Sequence, residues 1–195
     1  MLTSRQILMS MRHALEPVGF KPSGTTFHRL NDAHLVEVIN LQGGVRSRAG
    51  ECTVNLGVFI PEVWVLQGQA ESLELARLIT TPKAYECAIE ERLSRIVYEK
   101  DRWFDRDDPN VARTICDLVK SYALPWFGKL SSLSAIRGAL AANRFHRQVA
   151  WGTQAAILKV AGDTEGARSY LAQLQDVDLV KVKVFASSIG IDLSP

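Results

Sequence analysis

The sequence predicts an α+β protein: a small antiparallel β-sheet of three or more strands flanked by helices, with a C-terminal α-helical extension. Three observations predict it. Between His34 and Pro61 two β-branched apolar runs flank a loop rich in Gly, Ser and Arg, which is a hairpin signal. Elsewhere apolar residues recur at the three- and four-residue spacing of amphipathic helices. From Asn143 an Ala-rich helical pattern takes over.

Thr3 to Leu15 is expected as the first helix, because Thr3 and Gln6 form a capping-box pattern and Ile7, Leu8, Met11 and Leu15 share one stripe. Gly19 is its expected stop. Thr25–Leu30, Leu35–Leu41 and Thr53–Ile60 read as an antiparallel meander, with a long hairpin loop over Gln42–Gly50. In the third strand Cys52, Val54, Leu56, Val58 and Ile60 fall on one face, and Thr53, Asn55, Gly57 and Phe59 on the other. One face therefore packs on a core and the other is mixed.

Pro61 is expected to end that strand and open a short helical turn through Val63 and Leu66. Ser72–Ile79 reads as a helix, and Thr81-Pro82 as the start of another reaching about Ile89. Leu93, Ile96, Tyr98 and the pair Trp103-Phe104 favour one or two strands within Arg92–Phe104. Asp108-Pro109 opens a helix whose apolar face is Val111, Ile115, Leu118, Val119 and Tyr122, ended by Pro125. Ser131–Leu140 is a shorter one. Beyond Asn143, helix runs through Phe145, Val149, Ile157 and Val160, breaks at Gly162-Asp163, and resumes over Thr164–Leu174. A last helix spans Leu179 to Ile189, with Asp176 or Asp178 as cap and Gly190 as stop, although Val180, Val182 and Val184 alternate as in a strand. Residues 1–142 are thus expected to form the α+β domain, and 143–195 a helical hairpin plus a final helix packed on it. The hairpin unit Ala155–Leu174 resembles one tetratricopeptide-type repeat; since solenoids need about three such units, it is expected to cap the main domain.

Lys plus Arg is 23 and Asp plus Glu 21, so the net charge is +2, too balanced to predict bulk attraction to nucleic acid or anionic lipid. No apolar run approaches the roughly 18 residues of a membrane span, and the N-terminal residues lack a signal-peptide pattern, so a cytoplasmic location is expected. Cys52, Cys87 and Cys116 are spaced for neither a disulfide framework nor zinc and are expected as buried thiols. No HExxH, GxGxxG, P-loop or GxSxG pattern is present. Asp101 and Asp105 are of the type that holds Mg²⁺ or does acid–base work, but Lys100, Arg102 and Arg106 alternate with them and nearly neutralise them. No cofactor and no metal is expected, and catalytic residues are not assigned.

The sheet carries the candidate site. Asn is depleted in strands, yet Asn40 and Asn55 stand within strong apolar runs. With Gln42 and Arg29 they form either a polar binding patch on the open face or a set of local strand-to-loop ties. Arg46 and Arg48 on the hairpin loop are positioned to close over a phosphate or carboxylate, or to stand as ordinary solvated charges. Trp103 is either core or a stacking surface.

The order GFKPSGTTFHRL, VEVINLQ and CTVNLGVF-x-Pro-Glu, followed by Cys87, Arg92-Leu93, Asp101-x-Trp103-Phe104 and Leu124-Pro125, resembles the bacterial family catalogued as domain of unknown function 4304, over residues 4 to 130. The INLQ and TVNLGVF segments carry most of the likeness; Phe104 and Ser94 depart from the family's usual Trp and Gly. The resemblance implies the α+β fold and supplies no catalytic residues.

The expected function is a non-enzymatic binding or protein-interaction module. Its surface is Arg29, Asn40, Gln42 and Asn55 with Arg46 and Arg48, and its partner a protein or a small anionic ligand. The alternative is a small-molecule enzyme on the same face, with Arg29 or Arg46 holding an anionic substrate and His28 or Asp101 as acid–base group. A third reading docks a protein partner on the C-terminal hairpin.

Overall fold

The computed structural model describes residues 1–174 and 177–193. Helix α1 (Ser4–Leu15) carries the full capping box: Gln6 N–H donates to Thr3 Oγ1 at 3.3 Å and Thr3 N–H to Gln6 Oε1 at 2.8 Å. Its Ile7, Met11 and Leu15 are buried, and Gly19, at φ 90°, turns the chain into the sheet.

Strands β1 (Lys21–Ser23), β2 (Thr26–Leu30), β3 (Val36–Gly43), β4 (Glu51–Phe59) and β5 (Ile89–Arg92) lie side by side in that order, all antiparallel, and β6 (Phe104–Asp105) pairs with the start of β4. The expected meander is β2–β3–β4, in the register Thr26↔Asn40↔Asn55. β1 was not anticipated; it is an exposed three-residue edge. The hairpin loop is shorter than the residue types suggested, since β3 runs on to Gly43 and only 44–50 turn, through a 3₁₀ turn at Arg46–Arg48.

The face holding Cys52, Val54, Leu56, Val58 and Ile60 is covered by α1, α5 (Val111–Leu118), α6 (Leu124–Gly128), α7 (Leu133–Ala141) and α8 (Trp151–Val160), in one core that includes Phe27, Ile39, Ile115, Phe127 and Ile157. The other face divides in two. At one end Val36, Val38, Phe59 and Cys87 form a small apolar cluster under Trp64 of α2 (Pro61–Leu66) and Ile79, which follows α3 (Leu73–Arg77). At the other end the face is open. A third cluster joins α8, α9 (Thr164–Ala172) and α10 (Leu179–Ser188) through Ala155, Leu158, Leu171 and Val182.

Four expectations need correction. Leu93–Tyr98 is a helix, α4, between strands β5 and β6: Leu93 is fully buried, Ile96 and Val97 pack on the core with helical spacing, and Glu99 in the left-handed region (φ 57°) ends the turn. Thr81–Ile89 is not helical beyond a 3₁₀ turn at Ala84–Glu86, because Ile89 is already needed in the sheet against Val58. Pro125 does not end the helix before it. A π-helical turn, Val119–Ala123, precedes α6 and places Pro125 in that helix's first turn, where its missing N–H is not required. Helix does not begin at Asn143: Asn143 takes φ 48° at the end of α7, and an extended linker leads to α8 at Trp151 while Phe145 and Val149 still pack on the core.

One smaller difference concerns a cap, and one cap is as expected. α5 starts at Val111, after Asp108 Oδ1 has accepted the Asn110 N–H at 2.8 Å. Asp178 caps α10, which is helical despite its alternating valines; Asp176 lies outside the described residues. Among the described residues no helix is long and apolar enough to cross a membrane.

Candidate functional site

The open end of the second sheet face is a groove of about 580 Å³. Its floor is a row of polar side chains in register across β2, β3 and β4. The Asn55 Nδ2 amide donates to Asn40 Oδ1 at 3.3 Å and to Gln42 Oε1 at 2.9 Å. The Asn40 amide donates in turn to Thr26 Oγ1 at 2.9 Å and Thr25 Oγ1 at 3.2 Å. The row is ordered by side-chain partners and still faces the groove: Asn40 and Asn55 are half-buried and Gln42 is exposed. The Gln42 Nε2 and Asn55 Oδ1 have no protein partner among the described residues, which leaves donor and acceptor capacity for a ligand.

The walls carry charge. Arg92, on β5, faces the same side as Asn55 because the two residues are directly paired in the register. Its guanidinium bonds the Asp101 carboxylate and lies over the Trp103 ring, 5.3 Å from the ring centre. Arg48 lies over the same ring at 5.1 Å and is paired to Glu51 at 3.0 Å. Trp103 is thus half-buried beneath two guanidinium groups, between the core and stacking expectations. Lys83 and Tyr85 stand on the opposite wall, and Glu90 and Arg147 close one end as an ion pair.

The strap bearing Lys83 and Tyr85 is held down by His28. His28 Nε2 donates to the Pro82 carbonyl at 2.9 Å, and its Nδ1 is buried without a partner. Burial depresses the proton affinity of this imidazole below the ordinary 6.5; the Pro82 bond opposes that and Lys83 adds to it. His28 is therefore a neutral structural group. The three cysteines are free and buried. Burial pushes the Cys52 thiol up to about 11 despite Arg106 nearby, and raises Cys87 and Cys116 as well, so none offers a thiolate at neutral pH.

Asn40, Gln42 and Asn55 are brought together as anticipated, whereas Arg48 stacks over Trp103 outside the groove lining. Arg46 is exposed on its turn at φ 54°. Arg29 is elsewhere. It alternates with His28 and so projects to the helix-covered face, where it bonds Glu37 at 2.6 Å and the Val18 carbonyl at 2.9 Å and lies over Phe20. Arg29 and His28 are therefore on opposite faces, and the acid–base arrangement proposed from them does not assemble. Asp101 is taken by Arg92, and Asp105 lies on β6 opposite Glu51. Among the described residues no group of three or more His, Cys, Asp or Glu side chains is placed to hold a metal ion.

Sequence reasoning missed Arg92 and Arg147. Arg92 had a usable signal: once Ile89–Arg92 is a strand, alternation puts Glu90 and Arg92 on the face opposite Ile89. Arg147 had none, since it comes from a linker that reads as helix.

A family model described as Domain of unknown function (DUF4304) matches residues 11–129. The chain belongs to that family. The DUF4304 region spans the sheet, the strap and Arg92, and ends before the Arg147 linker. No curated protein and no solved structure matches the chain.

Proposed function

We propose that the protein is a binding module whose ligand is a small oxyanion-bearing molecule held in the polar groove. One observation carries this reading: an amide row with unspent hydrogen-bonding capacity forms the floor of an open groove whose wall holds the guanidinium of Arg92, fixed in place by Asp101 and Trp103. Pre-positioned guanidinium groups suit carboxylates and phosphates, and neutral amides orient such a ligand without repelling it. The bracing of Arg92 supports the reading further, because a fixed side chain loses less freedom on binding.

A thermal-shift panel of inorganic phosphate, succinate and citrate tests it, with Arg92→Ala and Lys83→Ala as controls. The expected result is saturable stabilisation by at least one anion, about 2.7 kcal/mol at a hundred times its Kd, reduced in both variants. A flat response to every anion, or one the variants leave unchanged, overturns it.

A further inference from the structure

The linker between α7 and α8 brings one side chain into the groove from outside the family region. Arg147 is tied at two levels. Its backbone N–H donates to Glu91 Oε2 at 2.9 Å, and Glu91 is a buried carboxylate that also accepts the Arg92 N–H at 2.9 Å. Its guanidinium pairs with Glu90, the next residue but on the opposite sheet face. Strand alternation thus makes two neighbouring carboxylates do different work: Glu91 fixes where the linker passes the β5 edge of the sheet, and Glu90 holds the guanidinium.

The guanidinium is the releasable part. The Arg147 side chain is 58% exposed while that of Glu90 is 24% exposed, so the cation stands on the solvent side of the pair. Burial raises the proton affinity of Glu90, and Arg147 counters it. Half-exposed ion pairs of this kind contribute little net stability, so a ligand carrying two negative charges competes for the cation at small cost. The pair also forms the partition between the groove and a second cavity of about 280 Å³ under Trp64 and Val149, since Glu90, Arg147 and Tyr85 line both.

We infer that Arg147 is a specificity-determining residue of the groove, held by Glu90 when the groove is empty and transferred to a dianionic oxyanion when it is filled. The inference rests on the anion-binding reading above. On it, the C-terminal segment completes the site that the family region begins, and the preferred ligands carry two or more negative charges over one.

Calorimetric titration of the full chain with succinate, and with acetate as its monoanionic counterpart, tests this. Arg147→Ala is expected to weaken succinate by about tenfold or more, the usual loss for one charge-assisted hydrogen bond, and to bring it close to acetate. Glu90→Gln is expected to tighten succinate several-fold by removing the competing carboxylate, with Arg147→Lys intermediate. Succinate binding that falls with Arg92→Ala but is the same in wild type, Arg147→Ala and Glu90→Gln overturns the role of Arg147 and leaves the groove reading standing. No binding of succinate, citrate or inorganic phosphate by the wild type or any variant overturns both.

Discussion

Gly57 and Cys87 touch so closely that a Cβ on Gly57 would lie 2.5 Å from the Cys87 Sγ. This contact seats the 81–87 strap on β4, and the strap carries Lys83 and Tyr85 to the groove wall. The fold of the second face and the shape of the groove therefore depend on one missing side chain.

Gly57→Ala is expected to lift the strap or strain β4, at the roughly 1–3 kcal/mol typical of overpacking. For a chain of this size that is a fall of about 2–4 °C in Tm per kcal/mol. Cys87→Ala, which removes the Sγ but leaves the Cys87 Cβ position 2.9 Å from the added methyl, is expected to restore part of the loss in the double variant. Differential scanning calorimetry of the three variants checks it; additive losses would mean that the two residues are not coupled.

The Asn55 amide joins Asn40 to Gln42, so Asn55→Ala removes two hydrogen bonds on a half-buried surface. The expected destabilisation is about 1–2 kcal/mol. Chemical denaturation measures it. Gln42→Ala is expected to cost less, since Gln42 is exposed and contributes one of those bonds.

Glu91 accepts backbone N–H groups from both β5 and the linker while buried from solvent. Glu91→Ala leaves two donors without their partner and unties the linker from the sheet. Limited proteolysis is expected to cut the variant within residues 143–150 under conditions where the wild type is intact. Equal resistance would show that Phe145 and Val149 hold the linker without Glu91.

His28 sets a pH dependence. In the unfolded chain the imidazole takes a proton near 6.5, whereas in the fold burial holds its proton affinity lower. Between those two values the unfolded state binds more protons, so the His28 contribution is complete above about 6.5 and is lost as pH falls through the folded value. Thermal melts from pH 7.5 to 5 are expected to show falling Tm, with a shallower slope in His28→Gln, which keeps a donor for the Pro82 carbonyl. A slope unchanged by the substitution would place the pH dependence in other groups.

The parts of this fold that local chemistry determines were legible in the residues. The caps expected at Thr3 and Asp178 both accept the backbone N–H groups their types suggest. Alternation along β4 divided its side chains correctly between the core and the second face. The amide row was legible for the same reason, since Asn40 and Asn55 contradict the propensity of their strands. What failed depended on long-range packing. Leu93–Tyr98 has spacing compatible with either element, and burial of Leu93 and Ser94 decides for helix, with the Ser94 hydroxyl accepting the Arg102 N–H. Arg29 was grouped with Asn40, although the register pairs Asn40 with Thr26 and thereby sends Arg29 to the opposite face. Arg147 reaches the groove only because the linker passes the β5 edge of the sheet at Glu91, which no local pattern encodes.

The central claim is that the amide row and its flanking cations are a ligand site, and side-chain amide NMR tests it most directly. Titrating the labelled protein with succinate, and with inorganic phosphate, is expected to move the NH₂ resonances of Asn55 and Gln42 in a saturable way. The NH₂ of Asn31, which bonds the Ser131 carbonyl at 3.2 Å away from the groove lining, is expected to stay fixed. Stationary Asn55 and Gln42 resonances, or shifts confined to other residues, would contradict the account.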